Sequence, residues 1–269
     1  MPQRHRPMPP ILRGKHFNDA SAFRPESILR EARRQKGSAE AAVPAVCVLD
    51  PDGDIVRQLR AAGRARKDEG WACYHTELYR VAETGMELGI IPFAVGASFA
   101  VLIAEQLFAS GCKLLISVTS SGQLVEIRSP PYFVLIDRAL RDEGMSYHYL
   151  PASEFSAADP GLLEALAGAF DQIPMSVERG ATWTTDAPFR ETAASISAMR
   201  DMGLLAVEME AAALYAFAKA QQKPVLCLAH VTNRMGVEGD FEKGEADGTI
   251  ESLLVVVASA RCCKHLLTQ

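Results

Sequence analysis

Several familiar signatures are missing from this chain, and each absence removes a class of chemistry. G-x-G-x-x-G follows none of the candidate strands, and G-x-x-x-x-G-K-[ST] does not occur, so dinucleotide and P-loop nucleotide binding have no support. There is no G-x-S-x-G turn, which removes a Ser-His-Asp hydrolase of the strand-turn-helix type. The six cysteines (47, 73, 112, 227, 262 and 263) include no C-x-x-C pair and no accompanying histidine pattern. Neither a zinc site nor a redox dithiol is expected, and no metal. No run of about eighteen apolar residues occurs, and the first residues are polar and proline-rich with no apolar core, so neither a membrane span nor a secretory leader is expected. The net charge of −5 offers nothing to nucleic acid or an anionic membrane. With unpaired cysteines, these absences lead us to expect a cytoplasmic protein.

What is present is an ordinary globular composition: 269 residues, 48% hydrophobic and 23% charged, enough for one large domain. Residues 1–25 carry five prolines and read as an extended arm, of the kind that wraps a neighbour in oligomers; residues 26–269 read as the domain. A helix is expected at about 26–36, between Pro25 and Gly37. AVCVLDPDGD (45–54) reads as a buried strand breaking into a turn at Asp50-Pro51-Asp52-Gly53. GIIPFAVGAS (89–98) is another strand, with Ser98 as cap of the helix that follows. KLLISVTSSGQL (113–124) reads as a third strand ending in a hydroxyl-rich turn at Thr119–Gly122. YFVLI, MSVERGATWTT and PVLCLAHVTN supply further strands. Helices are expected near 137–144, 161–172, 190–202, 207–222 and after about 249. This alternation predicts an α/β fold with a central, largely parallel or mixed sheet flanked by helices.

The organising stretch is AVEMEAAALYAFAKA, Ala206 to Ala220. From Ala211 it reads as a helix apolar on nearly every face, which belongs in a core. Two carboxylates, Glu208 and Glu210, precede it on either side of Met209. They have two readings: complements of the positive end of the helix dipole, or acceptors of the two hydroxyls of a vicinal diol such as ribose, with Met209 against the sugar. Spacing alone leaves both open.

VEMEAAALY resembles the ribose-binding segment of the nucleoside phosphorylase family, in its uridine phosphorylase branch, and the order of elements follows that family over roughly residues 45 to 268. The resemblance implies a single-domain nucleoside phosphorylase-type α/β fold. It also implies Met209 and Glu210 on the sugar with Glu208 as a supporting acid. The Thr119–Gly122 segment then corresponds to the phosphate turn, giving that role to Ser120 and Ser121. ATWTTDAPFRET (181–192) is similar to the base-side loop, with Phe189 to stack on a base and Arg190 to bond its carbonyls. HVTNRMG (230–236) places Asn233 and Arg234 where the pyrimidine branch has an arginine facing a uracil carbonyl, a cation that stabilises the departing base. Catalytic roles therefore fall to Arg234 and Glu210.

The implied activity is cleavage of the N-glycosidic bond of a pyrimidine, uridine-like nucleoside by phosphorolysis. No cofactor is implied, orthophosphate is the co-substrate, and the assembly is a homo-oligomer, dimer or hexamer. The sequence departs from the family in one respect. The Arg-x-Gly before the two hydroxyl residues reads Ser117-Val118-Thr119, the Gly-Asp-Pro-Asp-Arg loop reads Leu49–Gly53, and the neighbour-supplied arginine is replaced near Tyr74-His75-Thr76. All three phosphate arginines are thus missing, and each such bond is worth about 1.5–3 kcal/mol. Weak phosphate binding is expected. A phosphate-independent hydrolase of the same fold and a non-catalytic nucleoside-binding protein are the alternatives.

Overall fold

The computed structural model describes residues 8–236 and 250–267. The strands are β1 (Val46–Asp50), β2 (Ala65–Lys67), β3 (Tyr79–Glu83), β4 (Met86–Pro92), β5 (Leu114–Gln123), β6 (Tyr132–Asp142), β7 (Phe155–Ala157), β8 (Val177–Thr185), β9 (Ala206–Glu208) and β10 (Val225–Arg234). The helices are α1 (Pro25–Lys36), α2 (Asp54–Ala61), α3 (Ala97–Ala109), α4 (Pro160–Ala165), α5 (Ala193–Asp201), α6 (Ala211–Gln221), α7 (Ile250–Cys262) and α8 (Lys264–Leu267). The strands join in one mixed sheet in the order β10-β6-β8-β9-β5-β1-β4-β3-β2, with β7 on β6. A further pairing of β10 with β5 closes β5, β9, β8, β6 and β10 into a ring. This is the expected mixed α/β architecture.

β5 is the hub, because it pairs in parallel with β1 and β10 and antiparallel with β9. Gly122 faces Val207 of β9 and Asn233 of β10. A Cβ there would lie 2.1 Å from the Met235 sulfur, so the glycine leaves room for that side chain to pack over the strand. Thr119–Gly122, expected as a turn, is strand instead: β5 runs through it to Gln123. β10 pairs along all four residues and β9 joins at Gly122, and the turn propensity of serine and glycine yields to that pairing.

α6 is the buried helix expected from Ala211: every residue from Ala211 to Phe217 is buried. Its tyrosine is anchored, with the Tyr215 hydroxyl donating to the Ile136 carbonyl at 2.6 Å and accepting the Cys227 N–H at 3.0 Å. α1 begins at Pro25 and ends at Gly37 in the left-handed region, as expected. Ser98 is not the cap of α3. The helix begins at Ala97 with Gly96 at the capping position, and Ser98 is exposed.

The expected helix near 137–144 is strand. β6 continues past YFVLI through a register shift between Ile136 and Arg138 and pairs with β7 and β8. Its charges find local partners: Arg179 beside Asp137 at 3.4 Å, Arg138 over the Phe155 ring, and the Trp183 indole N–H on Asp142 at 2.9 Å. Helix propensity loses to that pairing. Residues 8–24 make a short 3-10 turn at Pro10–Leu12, and Lys15 Nζ reaches His148 Nδ1 at 2.8 Å.

Candidate active site

At the β9–α6 junction the two glutamates do different work. Glu208 is buried and accepts the backbone N–H groups of Glu210 and Ala211, each at 2.7 Å, together with the hydroxyls of Thr182 and Thr184 from β8. It therefore ties β8 to the start of α6. Glu210, also buried, accepts the Gly96 N–H from the start of α3 at 2.6 Å, and its other oxygen lies 3.3 Å from the Met209 N–H. Burial, then the charge of Glu208, pushes the Glu210 carboxyl up to about 8, against bonds from Gly96 and the Thr119 hydroxyl. Glu208 is also raised by burial. Its two short N–H bonds favour the ionised form and work against that burial. Met209 is half-buried beside Glu210.

One residue along β5, Ser120 meets a third carboxylate. Its backbone N–H donates to Asp52 Oδ2 at 3.2 Å, and its hydroxyl lies 3.2 Å from the Thr232 hydroxyl, which reaches Asn233 Oδ1 at 3.1 Å. Ser121 turns its buried hydroxyl to the Thr119 carbonyl at 3.3 Å, away from this cluster. Asp52 stands in the loop after β1. In that loop Gly53 has a φ of 73° and Asp50 Oδ2 accepts the Val56 N–H at 2.9 Å, tying strand to helix. Burial pushes the Asp50 carboxyl up to about 7. The Phe93 ring covers Gly53 so closely that a Cβ there would lie 2.1 Å from a ring carbon. An aromatic ring thus lies over the position that reads arginine in the family's loop.

The remaining candidates spread outward. Arg234, at the end of β10, pairs with Glu126 at 2.8 Å in a largely exposed contact. Phe189 is 99% exposed, and Arg190 beside it is exposed too. Within this chain the structure brings together Met209, Glu210, Ser120 and Asn233 through β5, β9 and β10, but leaves Phe189 and Arg190 outside the cluster. A cavity of about 1010 Å³ lies apart from this cluster, bordered by α2, residues 67–77 and Phe93; Tyr74, His75 and Thr76 line it, but none of the candidate sugar, base or phosphate residues does. Among the described residues no group of three His, Cys, Asp or Glu side chains is placed to hold a metal ion. Gly96, Thr232 and Phe93 are not among the residues that the sequence singles out for the site, and Thr119 enters there only as part of the hydroxyl-rich segment. The glycine after β4 was the available signal, since its φ of 89° turns the chain to present its N–H to Glu210.

Comparison with known proteins bears on the family and the fold. Residues 46–266 match the family model of the phosphorylase superfamily. A guanosine phosphorylase of Halorubrum lacusprofundi is 25% identical over 183 residues, covering 65% of this chain and 76% of the relative. A DeoD-type purine nucleoside phosphorylase of Bacillus cereus is 25% identical over 182 residues, covering 67% and 75%. Among solved structures, a uridine phosphorylase of Vibrio fischeri ES114 superposes with a TM-score of 0.69 at 19% identity, covering 83% of this chain and 93% of its own. A complex of that enzyme with 6-hydroxy-1-naphthoic acid gives 0.71 at 18% identity, covering 86% and 99%. The fold is that of a nucleoside phosphorylase. With the model match over most of its length, the chain belongs to the phosphorylase superfamily, a family of enzymes.

Proposed function

We propose that the protein cleaves the N-glycosidic bond of a nucleoside, with a uridine-like pyrimidine ribonucleoside as substrate. The observation that carries this reading is the Glu208-Met209-Glu210 junction: a buried carboxylate, Glu210, anchored on Gly96 with Met209 half-exposed beside it. A ribose diol would donate to Glu210 and lie against Met209. The Glu210 carboxyl, raised to about 8 in the unliganded chain, would ionise as the two diol hydroxyls donate to it, and the resulting carboxylate lowers the energy of the oxocarbenium-like sugar beside it. Arg234 is assigned to the charge developing on the base. Its present partner Glu126 does not prevent this, because so exposed a pair is worth about 0–1 kcal/mol and exchanges readily. Asn233 accompanies it, and Phe189 and Arg190 would close over the base.

Orthophosphate is the acceptor this family membership favours, arriving at Ser120 and Ser121. A second reading, with water as acceptor, is favoured by one contact: the Asp52 carboxylate on the Ser120 N–H. A purine is the competing substrate class, because relatives at 25% identity are named for guanosine and purine nucleosides. The same reading takes residues 26–269 as the catalytic domain, residues 1–25 as an arm, and a cytoplasmic homo-oligomer, dimer or hexamer, as the working form. Incubation with a panel of pyrimidine and purine ribonucleosides, with and without phosphate, tests it. Free uracil from uridine is expected, and release of purine bases alone would reject the pyrimidine assignment.

A further inference from the structure

We propose that Thr184 is a positioning residue for the sugar site: its hydroxyl caps α6 in place of Glu210, which leaves the Glu210 carboxyl to face the sugar. This rests on the reading of Glu210 as the carboxylate that a ribose diol meets.

The first observation is a cap that is not made. Glu210 stands at the capping position of α6 and makes no side-chain capping bond. A residue there ordinarily turns an oxygen back onto the open N–H groups of the first turn. The Glu210 carboxyl instead accepts the Gly96 N–H at 2.6 Å.

The second is what caps the helix instead. The Glu210 and Ala211 N–H groups donate to one oxygen of Glu208, Oε2, at 2.7 Å each. The next N–H, that of Ala212, donates to the Thr184 hydroxyl at 3.0 Å. That hydroxyl in turn donates to Glu208 Oε1, so one oxygen of β8 accepts from the helix and donates to the acid. β8 and β9 pair with Thr184 opposite Glu208, which is why a residue 28 positions from Ala212 reaches the first turn. Both side chains are buried, which raises the cost of leaving either without its partner.

The third is that Glu208 is filled. A carboxylate offers about four acceptor positions. Those of Glu208 are taken by two backbone N–H groups and by the hydroxyls of Thr182 and Thr184. No position remains for a sugar hydroxyl, so Glu208 works with Thr184 in positioning, and the sugar is left to Glu210. Burial raises the Glu208 carboxyl, and the Thr184 bond is foremost among those that oppose it. Without the Thr184 hydroxyl, the Ala212 N–H and a Glu208 oxygen are both left open inside the fold. The Glu210 carboxyl stands where a side chain caps such groups, and in turning to them it gives up Gly96 and the sugar.

The test compares Thr184→Val, which keeps the shape and removes the hydroxyl, with Thr184→Ser, which keeps the hydroxyl. Circular dichroism melts first show that each is folded. Thr184→Cys, whose thiol is a weak donor, replaces the valine variant if that one does not fold. Amide hydrogen exchange followed by NMR reads the Gly96 N–H directly. In the valine variant it should exchange about tenfold faster or more relative to the β5 amides, the scale of one hydrogen bond to a charged group. In the serine variant it should keep the parent rate. Steady-state kinetics with uridine and deoxyuridine read the sugar. In the valine variant kcat/KM for uridine should fall about tenfold or more, and less for deoxyuridine, with serine recovering most of the loss. Combined with Glu210→Gln, the valine change should cost little further, because both act on one contact. Gly96 exchange that is unchanged, or that rises with every other amide alike, would overturn the proposal, as would losses that add in the double variant. If the parent cleaves no nucleoside, the function reading fails while exchange at Gly96 still judges Thr184.

Discussion

The Glu210 carboxylate accepts the Gly96 backbone N–H at 2.6 Å across 114 residues of sequence. That single bond joins the amino end of α6 to the amino end of α3. It fixes the carboxylate beside β5, where Thr119 also bonds it. A buried acid held from two elements is positioned before any substrate arrives, which saves the ordering cost at binding.

Glu210→Gln is expected to weaken ribonucleoside turnover. An amide offers one acceptor oxygen where the carboxylate offers two, at a cost of about 1–3 kcal/mol. Comparison of kcat/KM for uridine and deoxyuridine checks it. The variant should lose more on uridine than on the deoxy substrate. Equal rates for parent and variant on both would remove Glu210 from the sugar.

Arg234→Ala should cost more on uridine than on any purine nucleoside. The guanidinium is given the task of meeting negative charge on a departing pyrimidine, and loss of one such charge-assisted bond is worth about 1.5–3 kcal/mol. Steady-state rates with uridine and inosine measure the difference. A uniform loss across substrates would instead make Arg234 a structural partner of Glu126.

Stability should fall as the medium becomes alkaline. The Asp50 and Glu210 carboxyls are raised to about 7 and about 8 in the folded chain, against roughly 4 when unfolded. Between those values the folded state binds more protons than the unfolded one, so stability declines with rising pH. The contribution is complete below about pH 4 and is lost as pH passes 7 and then 8. Thermal melts from pH 6 to pH 9 should show the decline, and Asp50→Asn and Glu210→Gln should each flatten it. Melting midpoints whose pH dependence is the same in both variants as in the parent would contradict the assignment.

Much of the fold could be read from the chain because its signals are local. The run of buried alanines after Glu210, Pro25 and Gly37 bounding α1, and valine-rich β1 each depend on neighbours in sequence. The misreadings share one cause. Residues 137–144 carry helix-forming charges, and Thr119–Gly122 carry turn formers, but β8, β9 and β10 supply ladders that decide both segments. The carboxylates of the Glu-Met-Glu run were visible, though not that Glu208 is spent on Thr182, Thr184 and two backbone donors. Asp52 was visible only as an unfavourable charge. Its contact with Ser120 spans 68 residues and depends on β1 lying beside β5. Likewise nothing local tells Phe93 to cover Gly53, which requires the register of β1 with β4.

Turnover of uridine bears most directly on the central claim. Protein at a small fraction of the uridine concentration should release uracil in many-fold excess over itself, followed by separation of base from nucleoside over time. Sustained release, slowed in Glu210→Gln at unchanged fold, is the expected result. Uridine that binds and is recovered intact would contradict it, and would leave the chain a nucleoside-binding member of an enzyme family.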